Sequence, residues 1–333
     1  MEIEILASES LGVRSLCTAV KTAGRKILID PGLALGYTRF RLLPHPLQVA
    51  VGERIRKRII DEWSTATDIV ISHFHGDHVP LENANPYQLK LEKVASLNPS
   101  AVIWAKSTQL SPTESKRAKA LSSACNNTII ATEGKSDVML SFSEPVPHGK
   151  AEGPERVIMT RVREDFTFVH ASDIQLLNDE AIFQILSWRP DVVLASGPPL
   201  YLHKLAGEDA EKAWHNALIL SQKVGTLILD HHLMRGFEGA AWLDRLSSKA
   251  SGKVACSADF MGKPRTLLEA RRPQLYQDMP VPEDWHDSYA QGRARTDHYW
   301  NLAKELYAKK GLKNYRWTVE GNTASRGSSF YTA

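Results

Sequence analysis

Three imidazoles and a carboxylate fall within six residues at His73-Phe74-His75-Gly76-Asp77-His78. Imidazole nitrogen and carboxylate oxygen are donors for zinc, manganese or iron. Residues i and i+2 of an extended segment face the same side, so His73 and His75 can converge on one ion. Gly76 permits a sharp turn, after which Asp77 and His78 can address a second ion a few ångströms away. A polar loop with surface histidines is the plain alternative. The fixed offsets, directly after the apolar run Asp68-Ile69-Val70-Ile71-Ser72, weigh against it.

The elements that must position these donors are readable from hydrophobic periodicity. Residues 2–7 alternate polar and apolar, 15–21 are extended, and Thr22-Ala23-Gly24-Arg25 is a turn. Lys26-Ile27-Leu28-Ile29-Asp30 is a strand that stops at Pro31-Gly32. Val51, Ile55, Ile59 and Trp63 then mark one face of a helix, with Arg54, Lys57, Arg58 and Asp61 off that face. Past the cluster the pattern predicts helices over 86–97 and from about Pro112, and strands over 101–104, 128–131 and 137–142. A hairpin is expected from 157–162 and 166–170. The last third alternates helix (178–187, 207–223, 238–249) with strand (191–194, 226–229, 253–256). Two runs of strands, each followed by helices, imply an α/β fold of two facing sheets covered outside, a four-layer αββα sandwich. One domain is expected over residues 1–310, followed by a polar tail at 311–333.

Bulk properties narrow the classes. A 333-residue chain with 43% hydrophobic and 24% charged residues can bury a sizeable core. A net charge of +3 and a pI near 8.6 are too mild to imply nucleic-acid binding, although they leave an anionic substrate open. Three dispersed cysteines, Cys17, Cys125 and Cys256, suggest a reducing compartment and no disulfide framework. Glu2 and Glu4 are wrong for a secretory signal, and no apolar run reaches the roughly 18 residues that span a bilayer. A cytoplasmic location is expected, without a membrane partner.

The cluster resembles the His-x-His-x-Asp-His signature of the metallo-β-lactamase superfamily, and the other superfamily motifs follow in order. Asp30 resembles the acidic residue that closes an early strand and braces the metal loop. His148, in Pro145-Val146-Pro147-His148-Gly149, resembles the next single histidine, and Asp173 the aspartate bridging two metals. Asp230-His231-His232 resembles the strand end that carries the final histidine. A closer likeness is to a small, largely archaeal family of uncharacterised predicted metal-dependent hydrolases, through Glu9-Ser10-Leu11-Gly12-Val13-Arg14-Ser15, Ile29-Asp30-Pro31-Gly32 and Asp230-His231-His232-Leu233. Residue by residue, the resemblance implies a first ion on His73, His75, His148 and Asp173. It implies a second on Asp77, His78, Asp173 and a histidine at 231 or 232. Alignment favours His231, leaving His232 as an outer or substrate-facing group. Strand alternation sends these adjacent side chains to opposite faces, so the two are not expected on the same ion. Taken singly, His148 could be an ordinary loop histidine, Asp173 a helix cap, and Asp30 the start of a turn. His170 reads as a structural strand residue.

What the resemblance implies is hydrolysis by a metal-bound hydroxide at a dinuclear site, with Asp77 also the candidate catalytic residue that orients it. The cofactors would be two divalent ions, zinc first, with manganese or iron as alternatives. Asp173 argues against β-lactam cleavage, and His75 stands where the oxygen-reducing diiron branch carries Glu. The expected substrate is a small or nucleotide-like molecule, with a phosphodiester or other phosphate-bearing compound favoured and nucleic acid left open. Arg14, Tyr201 and Arg235 are the candidate substrate contacts, with Arg14 and Arg235 able to pair with phosphate bidentately. The cluster Arg54, Arg56, Lys57, Arg58 reads as a solvated helix face. Tyr289, Tyr299, Trp300 and Tyr307 read as the packing face of one amphipathic helix. Lactone or thioester hydrolysis and a mono-iron redox enzyme are the competing functions.

Overall fold

Alternation along the strands decides the layering. The computed structural model describes residues 1–202, 205 and 207–309, with side chains through Leu306. The first half of the chain runs β1 (Glu2–Ile5), β2 (Thr18–Lys21), β3 (Lys26–Ile29), α1 (Pro46–Trp63), β4 (Asp68–Ile71), β5 (Val102–Ala105), α2 (Pro112–Ala124) and β6 (Thr128–Ala131). The second half begins β7 (Leu140–Phe142), β8 (Val146–Pro147), β9 (Arg156–Val157), β10 (Thr160–Arg163) and β11 (Thr167–His170). It continues α3 (Asp179–Ser187), β12 (Val192–Ala195), α4 (Glu208–Lys223), β13 (Thr226–Leu229), α5 (Phe237–Lys249) and β14 (Lys253–Ala255). It ends in α6 (Ser257–Phe260), α7 (Arg272–Asp278), α8 (Trp285–Ala290) and α9 (Asp297–Lys309).

Among the described residues twelve strands form two six-stranded sheets of matching design, and β8 pairs with β9 alone. One is ordered β1-β2-β3-β4-β5-β6, antiparallel through β3 and parallel from there on. The other is ordered β7-β10-β11-β12-β13-β14, again an antiparallel meander followed by parallel strands. Ile27, Ile29 and Val70 of the first sheet meet Phe168, Val192, Leu194 and Ile228 of the second in a shared inner core. Their neighbours in sequence, Leu28, Ile69 and Ile71, point outward beneath α1 and α2. Val193, Leu227 and Leu229 likewise point outward beneath α3, α4 and α5. Strands buried on both faces are what the near-continuous Ile, Leu and Val runs encode. The result is the four-layer αββα sandwich that the order of elements implied.

Helix starts are set by capping chemistry. His45 caps α1 by accepting the Leu47 N–H, with Pro46 in the first turn. Ser111 and Glu114 form a capping box on α2. Asn178 caps α3 through the N–H groups of Glu180 and Ala181, so Asp173 is not that helix's cap.

The structure corrects three local expectations. Residues 86–97 are not an α-helix; a short 3-10 turn at Leu91–Lys93 is all the helix they contain. Their backbone pairs outward instead, Leu89 N–H to Leu33 O, Leu81 N–H to Leu89 O and Leu91 N–H to Leu81 O, and such long-range pairs override local helix propensity. The strand expected over 137–142 is confined to β7, because Asp137 Oδ1 accepts the N–H groups of Met139 and Leu140 and closes a turn. Tyr289 lies on α8 whereas Tyr299 and Trp300 lie on α9, so they belong to two helices; the Tyr307 side chain and the tail from 311 lie outside the described residues.

The basic face of α1 is partly covered by the protein itself, with Lys57 and Arg58 still exposed. Arg54 lies over the Trp300 ring, Arg56 donates to Pro86 O and Gln88 O, and Arg58 pairs with Glu4 and Glu62. All three cysteines are free and buried. Among the described residues, no helix is long and apolar enough to cross a membrane.

Candidate metal centre

The donors arrive at the same edge of the sandwich from successive strand ends. Asp30 follows β3, Ser72 and His73 follow β4, His148 follows β8, Ser172 and Asp173 follow β11, and His231 and His232 follow β13. Asp30, Ser172 and His231 take left-handed backbone angles, with φ of 50°, 51° and 31°. Non-glycine residues rarely adopt this region, and here each sharp turn bends the chain across the sheet edge. Gly32 serves the same end by having no side chain. A Cβ there would lie 2.2 Å from the Val79 backbone nitrogen, so only glycine lets the turn pass under the histidine loop.

Asp173, almost fully buried, stands at the centre. Its Oδ2 faces His73 Nε2 at 3.5 Å, His148 Nε2 at 3.3 Å and His232 Nε2 at 3.5 Å. Its Oδ1 faces His78 Nε2 at 3.2 Å and His231 Nε2 at 3.6 Å. Asp77 Oδ2 completes this second side, 3.3 Å from His231 Nε2. Donor atoms of His73, His75 and Asp173 lie within 4.8 Å of one another, as do those of Asp77, His78 and His231, and those of His148, Asp173 and His232. His73 Nε2, His78 Nε2 and Asp173 Oδ1 are buried and find no hydrogen-bond partner. Leaving such atoms unpaired is costly, and a divalent cation at their convergence satisfies them. The residues present therefore fit a bound metal ion.

Outer partners fix which nitrogen each ring turns inward. Asp30 accepts Ser72 N–H at 2.8 Å and the Ser72 hydroxyl at 2.7 Å, and lies 3.0 Å from His78 Nδ1. With its Nδ1 proton held by Asp30, His78 presents Nε2 as a lone pair. Ser72 Oγ does the same for His73 from 2.9 Å, and Ser172 Oγ donates to Asp30 as well. Glu155 lies 3.2 Å from His75 Nε2 and 3.3 Å from His148 Nδ1. The Gln175 amide sits 3.3 Å from His148 Nδ1 and 3.2 Å from His232 Nδ1. His170 serves packing, donating from Nε2 to Leu16 O between the sheets.

Sequence reasoning did not find Glu155, Gln175, Ser72 or Ser172. A signal existed for the two serines, since each directly precedes a ligand at a strand end. None existed for Glu155, which reaches the site only through the short β8–β9 pairing. The expected separation of His231 and His232 to opposite faces is also corrected. β13 ends at Leu229, so alternation has stopped, and the two rings stack with centroids 4.7 Å apart. They sit side by side over the two oxygens of Asp173, His231 on the Asp77 side and His232 on the His148 side.

Charge shifts follow from this packing. Burial, with the neighbouring imidazoles of His78 and His75, holds His73 down to about 3. For His78 burial opposes protonation, but Asp173 and Asp30 prevail and raise its pKa well above the ordinary value, so that a cation would take the place of the Nε2 proton. Burial also opposes ionisation of Asp30, yet His78 holds it at about 2. His75 is the main cause that lowers Glu155 to about 2.

The rim beside Asp77 is a charged network. Arg235 donates to Tyr201 Oη at 3.1 Å and lies 3.4 Å from Asp77 Oδ2 and 3.7 Å from Glu9 Oε2. Arg14 commits its fork to Glu269, at 2.7 and 2.5 Å, and Arg39 joins the same carboxylate. Of the substrate contacts expected from sequence, Arg235 and Tyr201 thus sit together beside the centre, while the Arg14 donors are taken. Burial, with the Glu269 charge adding to it, pushes Glu9 up to about 8.

Comparisons with known proteins give the family of the chain. The pattern describing the metallo-beta-lactamase superfamily matches residues 11–79. The UPF0282 protein of Methanosarcina mazei is 48% identical over 302 residues, spanning 90% of this chain and 99% of its own. The UPF0282 protein of Methanopyrus kandleri is 34% identical over 293 residues, spanning 83% and 99%. Among solved structures, the metallo-beta-lactamase fold protein YhfI from Bacillus subtilis superposes with a TM-score of 0.45 at 12% identity, over 76% of this chain and 95% of that one.

Proposed function

Since the chain belongs to the UPF0282 family of the metallo-β-lactamase superfamily, we propose that it is a metal-dependent hydrolase of phosphate-bearing small molecules, working at a two-ion site. One observation carries this reading: the two oxygens of Asp173 face separate sets of donors, His73 and His148 on one side, His78 and His231 on the other. His73, His75 and His148 with Asp173 would hold the first ion, and Asp77, His78 and His231 with Asp173 the second. Zinc suits this nitrogen and carboxylate set best, with manganese or iron as alternatives. Bound there, a pair of divalent ions supplies Lewis acidity and brings the pKa of a shared water toward neutrality.

The chain's own residues do the remainder. Asp30, Ser72, Glu155 and Gln175 keep the imidazoles turned inward, so little reorganisation is needed at the moment of reaction. Asp77, with 18% of its side chain exposed, is the candidate to orient an attacking water, with His231, His78 and Arg235 keeping its carboxylate ionised against the penalty of burial. His232, 10% exposed on the first-ion flank, would face the substrate as a neutral ring, since burial holds its pKa well below the ordinary value. Arg235 and Tyr201 on the opposite flank favour an anionic substrate, and a guanidinium matches phosphate geometry.

The test joins metal content to a substrate panel. Elemental analysis of loaded protein is expected to find two transition-metal ions per chain, and Asp77→Ala is expected to lose the second while staying folded. A bis-nitrophenyl phosphate is expected to be cleaved faster than an uncharged lactone or a thioester, with kcat/KM falling as salt rises because screening weakens attraction to an exposed anion. A single ion with Asp77→Ala unchanged defeats the two-ion reading. Faster lactone or thioester cleavage, indifferent to salt, redirects the substrate. One iron with oxygen consumption makes the protein a redox enzyme instead.

A further inference from the structure

The two halves of the centre differ in one respect that the donor set alone does not reveal: the second half carries a cation of its own. We propose that the Arg235 guanidinium competes with the second ion for His231 and Asp77, which makes the first position the tight one and the second the exchangeable one. This rests on the two-ion reading above and adds to it an internal competitor.

Arg235 Nη2 lies 2.6 Å from His231 Nε2 and 3.4 Å from Asp77 Oδ2. An imidazole nitrogen without a proton has a single in-plane lone pair, which either accepts an N–H or binds a cation. Arg235 addresses the same His231 nitrogen that faces Asp77 and Asp173, so guanidinium and ion draw on one electron pair. Two positive charges at that separation, partly withdrawn from water, also repel one another.

The guanidinium is held in place from behind. Arg235 is buried, its Nη1 donates to Tyr201 Oη at 3.1 Å, and its Nε lies 3.7 Å from Glu9 Oε2. Glu9 is fully buried and neither of its oxygens finds a hydrogen-bond partner. The Arg14 and Arg39 guanidiniums beside it are engaged by Glu269, which leaves Arg235 as the cation turned toward the metal ligands. On the first side the charged groups paired with the imidazoles are Glu155 and Asp173, both anions. Admitting the second ion requires Arg235 to swing toward Tyr201, whose ring it already approaches at 5.7 Å.

The experiment titrates metal-stripped full-length protein with Mn²⁺ alone, following bound and free ion by electron paramagnetic resonance. Wild type is expected to fill one position tightly and a second weakly. Arg235→Met is expected to bind the second ion about tenfold or more tighter, with the first unchanged, because a like charge and a rival donor are both removed. Arg235→Lys keeps the charge and should stay near wild type. Arg235→Met strands the Glu9 carboxylate, so Glu9→Gln/Arg235→Met is measured alongside and should show the same gain even if the single variant fails to fold. Two ions bound with second-site affinity unchanged or weaker in the variants that fold overturns the competition and leaves the two-ion reading intact. One ion in wild type and in every variant overturns both.

Discussion

Histidines occupy two buried regions of this molecule and meet opposite fates. In the C-terminal clamp that closes over α1, His45 accepts the Leu47 N–H at Nδ1 and donates from Nε2 to Met279 O, at 3.1 and 2.9 Å. His286 bridges the hydroxyls of Tyr87 and Tyr276, at 2.8 and 2.9 Å. Both nitrogens of both rings are spent on the protein. At the metal centre one nitrogen of His73 and of His78 is pinned by Ser72 or Asp30, and the other faces the Asp173 carboxylate with no hydrogen-bond partner. His170 shows that an unpaired nitrogen is not sufficient. Its Nδ1 lacks a partner, yet it belongs to none of the converging donor groups. A ligand histidine is recognised by an unsatisfied lone pair at a point where other donors converge.

The largest effect should come from removing the point of convergence. Asp173→Asn takes the anion from between the two sets of imidazoles, and both ions should be lost. Activity is expected to fall on the order of a hundredfold or more, since even outer partners of metal ligands cost ten- to a hundredfold. In wild type, metal at roughly a hundred times its Kd should add about 2.7 kcal/mol of stability, and that gain should vanish in the variant. Thermal melts with and without added zinc, beside elemental analysis, measure both. A variant that still binds two ions would break the contrast with the clamp.

An effect of comparable size on stability belongs to the clamp and appears with pH. Burial, only partly offset by the hydrogen bond to Met279, pulls His45 from 6.5 down to about 4. As pH falls below 6.5 the unfolded chain takes up a proton that the folded chain refuses. The stability that neutral His45 contributes is thus complete above about pH 6.5 and is lost progressively toward pH 4. The depression corresponds to about 3 kcal/mol, at 1.36 kcal/mol per pKa unit. Denaturation midpoints of wild type and His45→Gln, both with chelator, should converge over that interval. A difference that stays constant from pH 7 to pH 4 would show that His45 does not titrate as a sealed neutral ring.

Spacing revealed the local donors, the resemblance supplied the distant His148, Asp173, His231 and His232, and the outer partners that orient them stayed hidden. Four donors between His73 and His78 stand out because one strand end presents them all. The sheets were readable because Ile27, Ile29 and Val70 alternate with Leu28, Ile69 and Ile71 across two apolar faces. Glu155 and Gln175 left no pattern, since each meets its histidine through a loop or a strand pair of its own. The Arg14–Glu269 pair joins the chain's beginning to its last third, and no short window contains both. The helix expected over 86–97 failed for a similar reason: Leu33 and Leu81 claim its backbone groups. The relation of His231 to His232 depended on where β13 ends, which is the boundary that periodicity locates least well.

The smallest effect tests whether the two regions are energetically separate, using His286. This ring packs edge-on against Trp285, with centroids 5.1 Å apart, and joins Tyr87 in the loop after the metal cluster to Tyr276 on α7. His286→Phe keeps the ring and the aromatic contact but removes both hydrogen bonds. The two tyrosine hydroxyls lie in part-buried surroundings where water can replace the lost partner, so the cost should be about 1 kcal/mol. The loop that carries Tyr87 also pairs with Leu81 and Leu33, next to the metal loop, so a mechanical link between the regions exists. If those backbone pairs suffice to hold it, the denaturation midpoint falls slightly and metal stoichiometry stays at the wild-type value. Loss of an ion in His286→Phe would mean that the clamp tensions the metal loop. The fully bonded histidines would then serve the centre indirectly, and the contrast between spent and unspent nitrogens would describe two parts of one device.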